Sequence, residues 1–398
     1  MQSKWKKVKL SDVCEYVKDK ISVNILNETT YISTENMLPN KNGITFATSL
    51  PKVNLTQGFK KGDILISNIR PYFKKIWYAK FDAGCSNDVL VLRAKNGINS
   101  NFLYYVLSED IFFNYSMLTS KGTKMPRGDK QAIMDYEVPN ISYETQKKIV
   151  SILKPIDEKI EVNRAVNENL EQQAQAIFKN WFVDFAPFGG KMPSDWKESS
   201  LADIANFLNG LAMQKFRPKN GESGIPVLKI KELKQGFCDF DSDRCSENIK
   251  KDYLIKNGDV IFSWSATLIV DFWCGGLCGL NQHLFKVTSN IYDKWFYYVW
   301  TNYHLQKFIK IATDMATTMG HIKREELDKA KVLIPSKSDY NLINSLIAPL
   351  YELIIANRLQ SKQLADLRDT LLPRLMSGEL DVSNIELKFK SNSHLSFD

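Results

Sequence analysis

One stretch of this sequence occurs twice and decides the fold. Gly62-Asp63-Ile64-Leu65-Ile66-Ser67 returns as Gly258-Asp259-Val260-Ile261-Phe262-Ser263 later in the chain. In both places a Gly-Asp pair, typical of a tight turn, precedes an apolar run that favours a buried strand. A single match of this kind arises by chance, so the rest of the chain has to be searched for the same spacing.

Further matches surround the repeated stretch in the same order. Their offsets run from 191 to 196 residues, and they join Trp5-Lys6 with Trp196-Lys197, Leu10–Val13 with Leu201–Ile204, Phe102–Leu107 with Trp295–Trp300, Thr123-Lys124-Met125 with Thr317-Thr318-Met319, Val138-Pro139 with Ile334-Pro335, and Asn163-Arg164 with Asn357-Arg358. Matches in register over so many sites indicate a duplication. The copies differ most between the matches, so a shared scaffold carries divergent loops.

The duplication predicts a mixed α/β fold of two tandem globular domains separated by two long antiparallel helices, with pseudo-two-fold symmetry. We expect globules at residues 1–142 and 191–336, helical regions at 143–190 and 337–381, and a tail at 382–398. The globules carry net charges of +7 and +3, whereas residues 143–190 and 337–398 each carry −1. The positive blocks predict an anionic partner for the globules.

The two helical regions have apolar or small residues at steps of three and four, the pattern of a helix packed along a partner. These residues are Ile149, Ile152, Ile156, Ile160, Leu170, Ala174, Ile177 and Trp181 in the first region, and Ile343, Leu346, Leu350, Ile354, Leu364, Leu371 and Leu375 in the second. Polar residues interrupt the pattern at Asn163 and Asn167, and at Asn357 and Ser361. We interpret Asn163 and Asn357 as register positions near the centre of an antiparallel pair. The alternative is that each helix packs only on its own globule.

Pro155 and Pro349 occupy matched positions inside these helical stretches. Proline removes one helical hydrogen bond, so we expect a shared bend, or a short first helix joined to a long one. The aromatic segments Phe102–Leu107 and Trp295–Trp300 favour buried helices, with base-stacking platforms as the alternative.

The chain shows no recognisable catalytic motif. It has neither the glycine-rich phosphate loop nor the Pro-Pro pair that an amino-methyltransferase would need to hold its target amine. Asp157-Glu158-Lys159 is the nearest approach to a nuclease cluster, but its place on the patterned helix favours a solvated face. The sequence therefore predicts no catalytic residues.

No metal site is predicted either. Cys274 and Cys278 form one close pair, with Cys238 and Cys245 further away, whereas structural zinc usually needs two close pairs. Buried free cysteines are therefore favoured over zinc, and their spacing suits a reducing cytoplasm. No apolar run reaches the roughly 18–20 residues of a membrane span, so no membrane partner is expected.

The helical region carries a resemblance to a known family. The stretch from Glu144 to Phe185, above all Ala174-Gln175-Ala176-Ile177-Phe178-Lys179-Asn180-Trp181-Phe182-Val183-Asp184-Phe185, resembles the central region of the specificity (S) subunit of type I restriction-modification systems. The resemblance extends to about Val382 and includes the Gly-Asp strands and the Gly-Thr-Lys-Met loop. Pro155 departs from the Ser or Thr that is commoner there, which concerns helix straightness only.

This resemblance implies a division of labour in bacterial or archaeal cytoplasm. Two target-recognition domains would each recognise one half of a split double-stranded DNA sequence, with a fixed non-specific spacer between the halves. The helices would set the spacer and dock two methyltransferase (modification) subunits, which use S-adenosylmethionine to methylate adenine. Restriction subunits that translocate DNA would join with ATP and Mg²⁺. This chain would hold no cofactor and no active site.

Candidate DNA contacts follow from residue type and place in the repeat, because base edges and phosphates are contacted by basic, amide and hydroxyl groups on loops. The first set contains the matched loops before Val138 and Ile334, namely Lys121, Gly122, Thr123, Lys124 and Arg127 with Thr317, Thr318, His321, Lys323 and Arg324. The second set follows the Gly-Asp strands, namely Ser67, Asn68 and Arg70 with Ser263, Trp264 and Ser265. The third is Ser33 and Thr34 with Lys229 and Lys231.

Overall fold

A computed structural model describes residues 4–314 and 322–386 of the chain. It divides into two compact units, Met1–Glu158 with Leu364–Asp398, and Lys159–Gln363. Each unit combines one globule with part of both long helices. Three predicted DNA contacts, Thr317, Thr318 and His321, lie outside the described residues.

The first unit holds short strands and helices that precede one long helix. Its strands are β1 (Lys7–Lys9), β2 (Cys14–Tyr16), β3 (Lys20–Ser22), β4 (Tyr31–Ile32), β5 (Leu55–Phe59), β6 (Ile64–Ser67), β7 (Ile76–Tyr78), β8 (Ala83–Cys85), β9 (Val89–Ala94) and β10 (Glu137–Pro139). Its helices are α1 (Leu10–Val13), α2 (Ser100–Ser108), α3 (Asp110–Leu118) and α4 (Lys130–Met134), and the long α5 (Tyr143–Phe178) begins here.

Two four-stranded sheets form the first globule, in the orders β2-β9-β6-β7 and β3-β5-β8-β4. The repeated strand β6 is buried throughout and pairs with β9 in the register Ile64↔Leu92. The segment Phe102–Leu107 is part of α2, and its aromatic residues Phe102 and Tyr105 are buried in the core. The prediction of a buried helix is therefore confirmed.

The second unit repeats this sequence of elements. Its strands are β11 (Lys197–Ser200), β12 (Asn206–Asn209), β13 (Ile225–Leu228), β14 (Arg244–Cys245), β15 (Leu254–Ile255), β16 (Val260–Ser263), β17 (Val270–Phe272), β18 (Cys278–Leu280), β19 (Leu284–Thr288) and β20 (Lys331–Ile334). Its helices are α6 (Leu201–Ile204), α7 (Ile230–Gln235), α8 (Lys294–Asp314) and α9 (Glu325–Asp328), and the long α10 (Lys337–Ser377) follows.

The sheets of the second globule have the orders β12-β19-β16-β17 and β14-β13-β18-β15. The first of these has the same order as β2-β9-β6-β7, strand for matching strand. Strands β10 and β20 each pair antiparallel with the opening strand of their own copy. The predicted mixed α/β fold with a duplicated globule is therefore confirmed.

Both long helices run through their prolines without interruption. Pro155 lies inside α5 and Pro349 inside α10. The expected short first helix is therefore wrong. Each proline lacks the N–H that would bond the carbonyl four residues earlier, on Ser151 or Ser345, and its ring crowds that carbonyl, yet each helix continues on both sides. Side-chain burial on neighbours such as Leu153 outweighs that single loss.

By length and composition alone α10 could cross a membrane, since one window of it has a mean hydropathy of 1.2. Asn357 and Arg358 lie in the middle of α10 and bond to neighbouring elements. Its apolar residues Ile343 and Ile354 are buried in the core of the second unit. The apolar character is therefore that of a packed helix and does not indicate a membrane protein.

Candidate nucleic-acid interface

An aspartate at the Gly-Asp turn fixes the hairpin of each globule. Asp63, which is 1% exposed, accepts a hydrogen bond from the Lys60 N–H at 2.7 Å and two from the Arg93 guanidinium, both at 2.7 Å. Hydrogen bonding to Asp63 raises the pKa of Arg93. In the second globule Asp259 accepts from the Lys256 N–H at 2.9 Å and pairs with Lys286 at 3.0 Å. The same turn thus starts both hairpins.

The tip of the first hairpin, residues 68–75, holds one predicted set of DNA contacts. Ser67 is buried, and its hydroxyl donates to the Ile69 carbonyl at 3.1 Å, so this side chain does not reach the surface. Asn68 is also buried, and both its Oδ1 and the Nε of Arg70 lack a hydrogen-bond partner. Arg70 has a φ of 51°, in the left-handed region that side chains rarely adopt. Arg70 is half-buried, and it supplies the cationic group of this set, although its Nε itself is buried.

The loop at residues 120–128 lies against that tip. Lys121 and Arg127 exchange backbone hydrogen bonds, both at 2.9 Å, which closes the loop. The Arg70 N–H donates to the Pro126 carbonyl at 2.8 Å, and the Gly128 N–H donates to the Asn68 carbonyl at 3.2 Å. Two sets of residues that were predicted separately are thus brought together.

Side chains of the same loop are exposed and partly paired. Lys121 bonds to Asp129 at 2.5 Å, which lowers the pKa of that carboxyl, and Arg127 bonds to Asp88 at 2.8 Å. Thr123 and Lys124 are exposed at the end of the loop, and Gly122 adopts a φ of 90° that its turn requires. Surface pairs of this kind contribute little to stability, so their cations remain available to phosphates.

The third predicted set of the first globule joins the other side of the tip. Lys75 donates to the Thr34 carbonyl at 2.5 Å, and burial lowers the pKa of Lys75. Ser33 is half-buried, and its hydroxyl bonds the Asn36 side chain at 3.2 Å, so it shapes the turn. We call this contiguous surface the basic face, which comprises Thr34, Lys41, Arg70, Lys74, Lys75, Lys121, Lys124 and Arg127.

The corresponding hairpin tip of the second globule has different chemistry. Ser263 is 0% exposed, and its hydroxyl donates to backbone carbonyls at Ser265 and Thr267, so it cannot contact a base in this structure. Ser265 is buried as well, with its hydroxyl 3.2 Å from Nδ1 of His283. Trp264 is half-buried and donates from Nε1 to Asn209 at 3.1 Å. Because both hydroxyls are buried, neither Ser263 nor Ser265 can contact DNA through its side chain in this structure.

The loop that precedes β20 also approaches this tip. The Ile322 N–H donates to the Trp264 carbonyl at 3.1 Å, as the 120–128 loop does to the first tip. Lys323 and Arg324 follow Ile322 and are exposed at the start of α9. Their placement beside the second tip agrees with the position that the repeat gives them.

A polar cleft of about 290 Å³ opens beside the second tip. It is lined by Met213, Gln214, Arg217, Val227, Lys229, Asp243, Arg244, Asn281, Gln282 and His283. Lys229 from the predicted set lies in the cleft and bonds Asp243, whereas Lys231 bonds Asp239 at 2.8 Å and does not line it. We call this feature the polar cleft.

Sequence reasoning missed Gln214, Arg217, Gln282 and His283. The repeat could have identified Gln282 and His283. Asn281-Gln282-His283 links β18 to β19 in the second copy, as Ser86-Asn87-Asp88 links β8 to β9 in the first. Short polar links between two buried strands are exposed at a sheet edge beside the hairpin tip. Asp88 bonds Arg127 in the first copy, and His283 approaches Ser265 in the second.

Polar residues cross the helix pair inside the second unit. Asn163 is 2% exposed and donates to Gln360 at 2.9 Å and to Ser361 at 3.1 Å. Asn357 donates to Asn167 at 2.9 Å. As the number rises along α5 the partner's number falls along α10, so the helices run antiparallel. The alternative in which each helix packs only on its own globule is wrong.

The run Asp157-Glu158-Lys159 also differs from expectation at its first residue. Asp157 accepts hydrogen bonds from Arg368 at 2.9 Å and from the Tyr105 hydroxyl at 2.8 Å, so it joins both long helices to α2 within the first unit. The prediction of a wholly solvated face is therefore wrong for Asp157. Its carboxylate shares the largely buried Arg368 guanidinium with Asp369, which bonds the same group at 2.8 Å.

The cysteines are free, and Cys274 and Cys278 are both buried. Burial raises the pKa of Cys274 to about 11. Within residues 4–314 and 322–386 there is no group of three or more His, Cys, Asp or Glu side chains placed to hold a metal ion.

Comparison with known proteins gives a consistent result for both copies. The family model described as "Type I restriction modification DNA specificity domain" matches residues 2–172 and again residues 193–364. The MjaIX specificity subunit of a type I restriction enzyme from Methanocaldococcus jannaschii is 28% identical, over 82% of this chain and 79% of its own. The HindI specificity subunit from Haemophilus influenzae is 23% identical, over 95% of this chain and 100% of its own.

A solved structure shares the fold. The type I restriction-modification system S subunit from M. genitalium superposes with a TM-score of 0.59 at 14% identity, covering 94% of this chain and 96% of its own. No catalytic family is among these matches.

Proposed function

The chain belongs to the type I restriction-modification DNA specificity family, and from that premise we propose that its two globules bind the two halves of one split double-stranded DNA sequence. The observation that carries this proposal is the pair of different surfaces on one duplicated scaffold. The first globule offers the basic face around its hairpin tip. The second offers the polar cleft, whose lining residue His283 contacts the matched tip at Ser265. Divergent groups on one scaffold fit two different base sequences.

We propose that the remaining chemistry belongs to partner subunits. The chain then acts as a non-catalytic subunit in a bacterial or archaeal cytoplasm. Two methyltransferase subunits supply S-adenosylmethionine chemistry, and restriction subunits use ATP and Mg²⁺ to translocate and cut DNA. The exposed apolar residues Leu342, Leu346 and Leu353 on α10 support docking of such subunits on the helices.

The decisive experiment is methylome sequencing of the host with and without this gene. We expect one bipartite adenine-methylated sequence with a fixed gap, and we expect it to disappear when the gene is removed. An unchanged methylome would overturn the proposal. Incubating the purified chain with labelled S-adenosylmethionine and DNA tests the non-catalytic role, which is wrong if label is incorporated without another subunit.

The helix pair is proposed to set the gap. Insertion of about four residues beside Asn163 lengthens α5 by roughly 6 Å at ~1.5 Å per residue. We expect a longer spacer between two unchanged half-sequences in the methylome of that variant. An unchanged spacer would rule out this role for the helices.

A further inference from the structure

The first hairpin tip carries two adjacent aromatic side chains that face solvent. Tyr72 and Phe73 are 48% and 37% exposed, and their ring centroids lie 4.6 Å apart. Neither ring is a member of the hydrophobic clusters formed by the described residues. Single exposed apolar residues are ordinary on protein surfaces. Two adjacent aromatic rings outside the core form a small apolar patch, and such patches indicate a binding surface.

The backbone holds this pair in one conformation. Arg70 and Lys74, on either side, both have a φ of 51°, in the left-handed region. The buried Pro71 starts a 3₁₀ turn, Pro71–Phe73, and the Lys74 N–H donates to the Pro71 carbonyl at 2.8 Å. Left-handed backbone at non-glycine residues persists only where its surroundings enforce it, and it concentrates at binding sites.

Neighbouring segments enforce that conformation from two sides. The Asn40 N–H donates to the Phe73 carbonyl at 2.8 Å, and the Lys41 N–H donates to the Lys74 carbonyl at 2.9 Å. Both Asn40 and Lys41 have positive φ values themselves, 56° and 62°. The rings are therefore presented by a rigid turn, which lowers the entropy lost when they bind.

Cations surround the two rings. Lys41 and Lys74 both bond the carboxylate of Asp110, at 2.9 and 2.8 Å. The Lys75 ammonium lies 5.7 Å from the Phe73 ring centroid. Arg70 adds a half-buried guanidinium next to the pair. A ligand for this site must offer negative charge and flat apolar faces together, and nucleic acid offers both.

We propose that the Tyr72–Phe73 pair stacks on bases of the DNA half bound by the first globule, at a base step that opens to admit the rings. This inference rests on the proposed function and adds a stacking contact to it. Phosphates on either side of the step bind Arg70, Lys74 and Lys75. Aromatic and other apolar side chains that enter a base step unstack it and bend the duplex.

The matched hairpin tip of the second globule, residues 264–269, has no equivalent pair. Its tip has Trp264, half-buried, with the ring centroid 5.9 Å from that of Phe285 and 6.1 Å from that of His283. Trp264 also bonds Asn209 through Nε1. This ring is held within its own globule, so the opened step is confined to the half bound by the first globule.

The test uses the full chain assembled with its modification subunits on a duplex that carries the methylome-defined sequence. Thymines in the first half are probed with permanganate, and adenines are replaced one at a time by 2-aminopurine, whose fluorescence rises when it unstacks. We expect one reactive step with the wild-type chain. The double variant Tyr72→Ala/Phe73→Ala should lose that step and bind about 10- to 100-fold more weakly.

Two control variants separate stacking from other roles. Tyr72→Phe keeps both rings and should retain the reactive step. Phe46→Ala removes an aromatic residue that is 71% exposed in the same globule, and it should change neither signal nor affinity. Thermal unfolding of each variant checks that the globule is intact.

Several outcomes would overturn the inference. The first is a wild-type complex that methylates the sequence but shows no step that depends on the rings, and in that case the proposed function still stands. The second is that the double variant weakens subunit assembly without DNA, which would assign the pair to a protein partner. Complete absence of sequence-specific methylation would instead overturn the proposed function itself.

Discussion

The hairpins at residues 62–78 and 258–272 share their strands and differ at their tips. In both, the aspartate of the Gly-Asp turn pairs with a cation on the neighbouring strand, Arg93 on β9 or Lys286 on β19. The first tip presents exposed aromatic and basic side chains, whereas the second tip is folded onto His283 and Phe285. Both hairpins keep the turn and the aspartate–cation pair because these groups hold the strands together, whereas the tips lie outside the core and differ.

The second sheet of each globule also combines a shared core with a part that differs. Strands β4, β8 and β5 correspond to β13, β18 and β15, with the same parallel and antiparallel pairings. The fourth strand differs, because β3 adds beside β5 in the first copy and β14 adds beside β13 in the second. Opposite edges of one three-stranded core have thus been extended, and a sheet edge accepts such additions without disturbing core side chains.

The largest expected difference between the copies concerns the aspartates of the two Gly-Asp turns. Asp63→Ala should lower the free energy of unfolding of the first globule by about 3 kcal/mol. It removes a buried carboxylate with three hydrogen bonds and leaves Arg93 only its 3.3 Å contact with Asp19. Asp259→Ala should cost the second globule only about 1 kcal/mol, because the Asp259 and Lys286 side chains are 19% and 16% exposed and water replaces part of the pair. Hydrogen exchange of β6 and β16 in increasing denaturant measures the two globules separately. Equal losses would contradict this ranking.

The matched glycines Gly84 and Gly279 lie in the three-stranded core of each copy, and neither position has space for a Cβ. A Cβ on Gly84 would lie 2.6 Å from Leu26, and one on Gly279 would lie 2.5 Å from Sγ of Cys245. Alanine at either site should cost about 1–3 kcal/mol through overpacking. Gly58 pairs with Gly84 across the sheet, and its Cβ position has only ordinary contacts at 3.5 Å, so Gly58→Ala is the matched control. Chemical denaturation should show almost no change in the free energy of unfolding for Gly58→Ala. A large loss of stability in this control would contradict the explanation by steric clash at Gly84 and Gly279.

A smaller effect is expected for the surface cations. Arg70→Ala should weaken binding about tenfold and reduce the slope of log affinity against log salt by about 1, as expected for a lost phosphate contact. Arg217→Ala in the polar cleft should act only on the second half of the sequence. Titrations with duplexes altered in one half separate these effects. Lys7→Ala, whose side chain is exposed on β1 and pairs with Glu137, should leave both slopes unchanged.

The smallest effect concerns a helix break that only the first copy has. Glu109 separates α2 from α3, whereas α8 is continuous. Burial raises the pKa of Glu109 to about 7. The folded first globule therefore favours the protonated acid. The contribution of Glu109 to stability is greatest below the unfolded pKa of about 4.3 and is lost as pH rises through about 7.

Glu109→Gln should remove this part of the pH dependence and stabilise the first globule at pH 8. Unfolding midpoints of wild type and variant between pH 5 and 8 provide the measurement. The second globule serves as an internal control. Parallel pH profiles for wild type and variant would contradict the role of Glu109.

Much of the fold follows from the repeat, and less of the interface does. The buried strands after Gly62-Asp63 and Gly258-Asp259 and the antiparallel helices were predicted from apolar spacing, because burial acts on every residue of a core segment. Ser67 and Ser263 were assigned to DNA because their type and order fit, yet both hydroxyls bond backbone inside the tip. Hydroxyls can serve a turn or a ligand equally well, and sequence does not distinguish these uses.

The sequence by itself determined the duplication, the mixed α/β globules, the polar seam of the helices and the membership of the specificity family. Only the tertiary structure decided which groups share a surface. It placed the 68–75 tip, the 120–128 loop and Thr34 side by side, opened the polar cleft around Arg217 and His283, and left Tyr72 and Phe73 exposed. Periodicity records which residues are buried, whereas a binding surface depends on contacts between segments far apart in the chain, which no local pattern encodes.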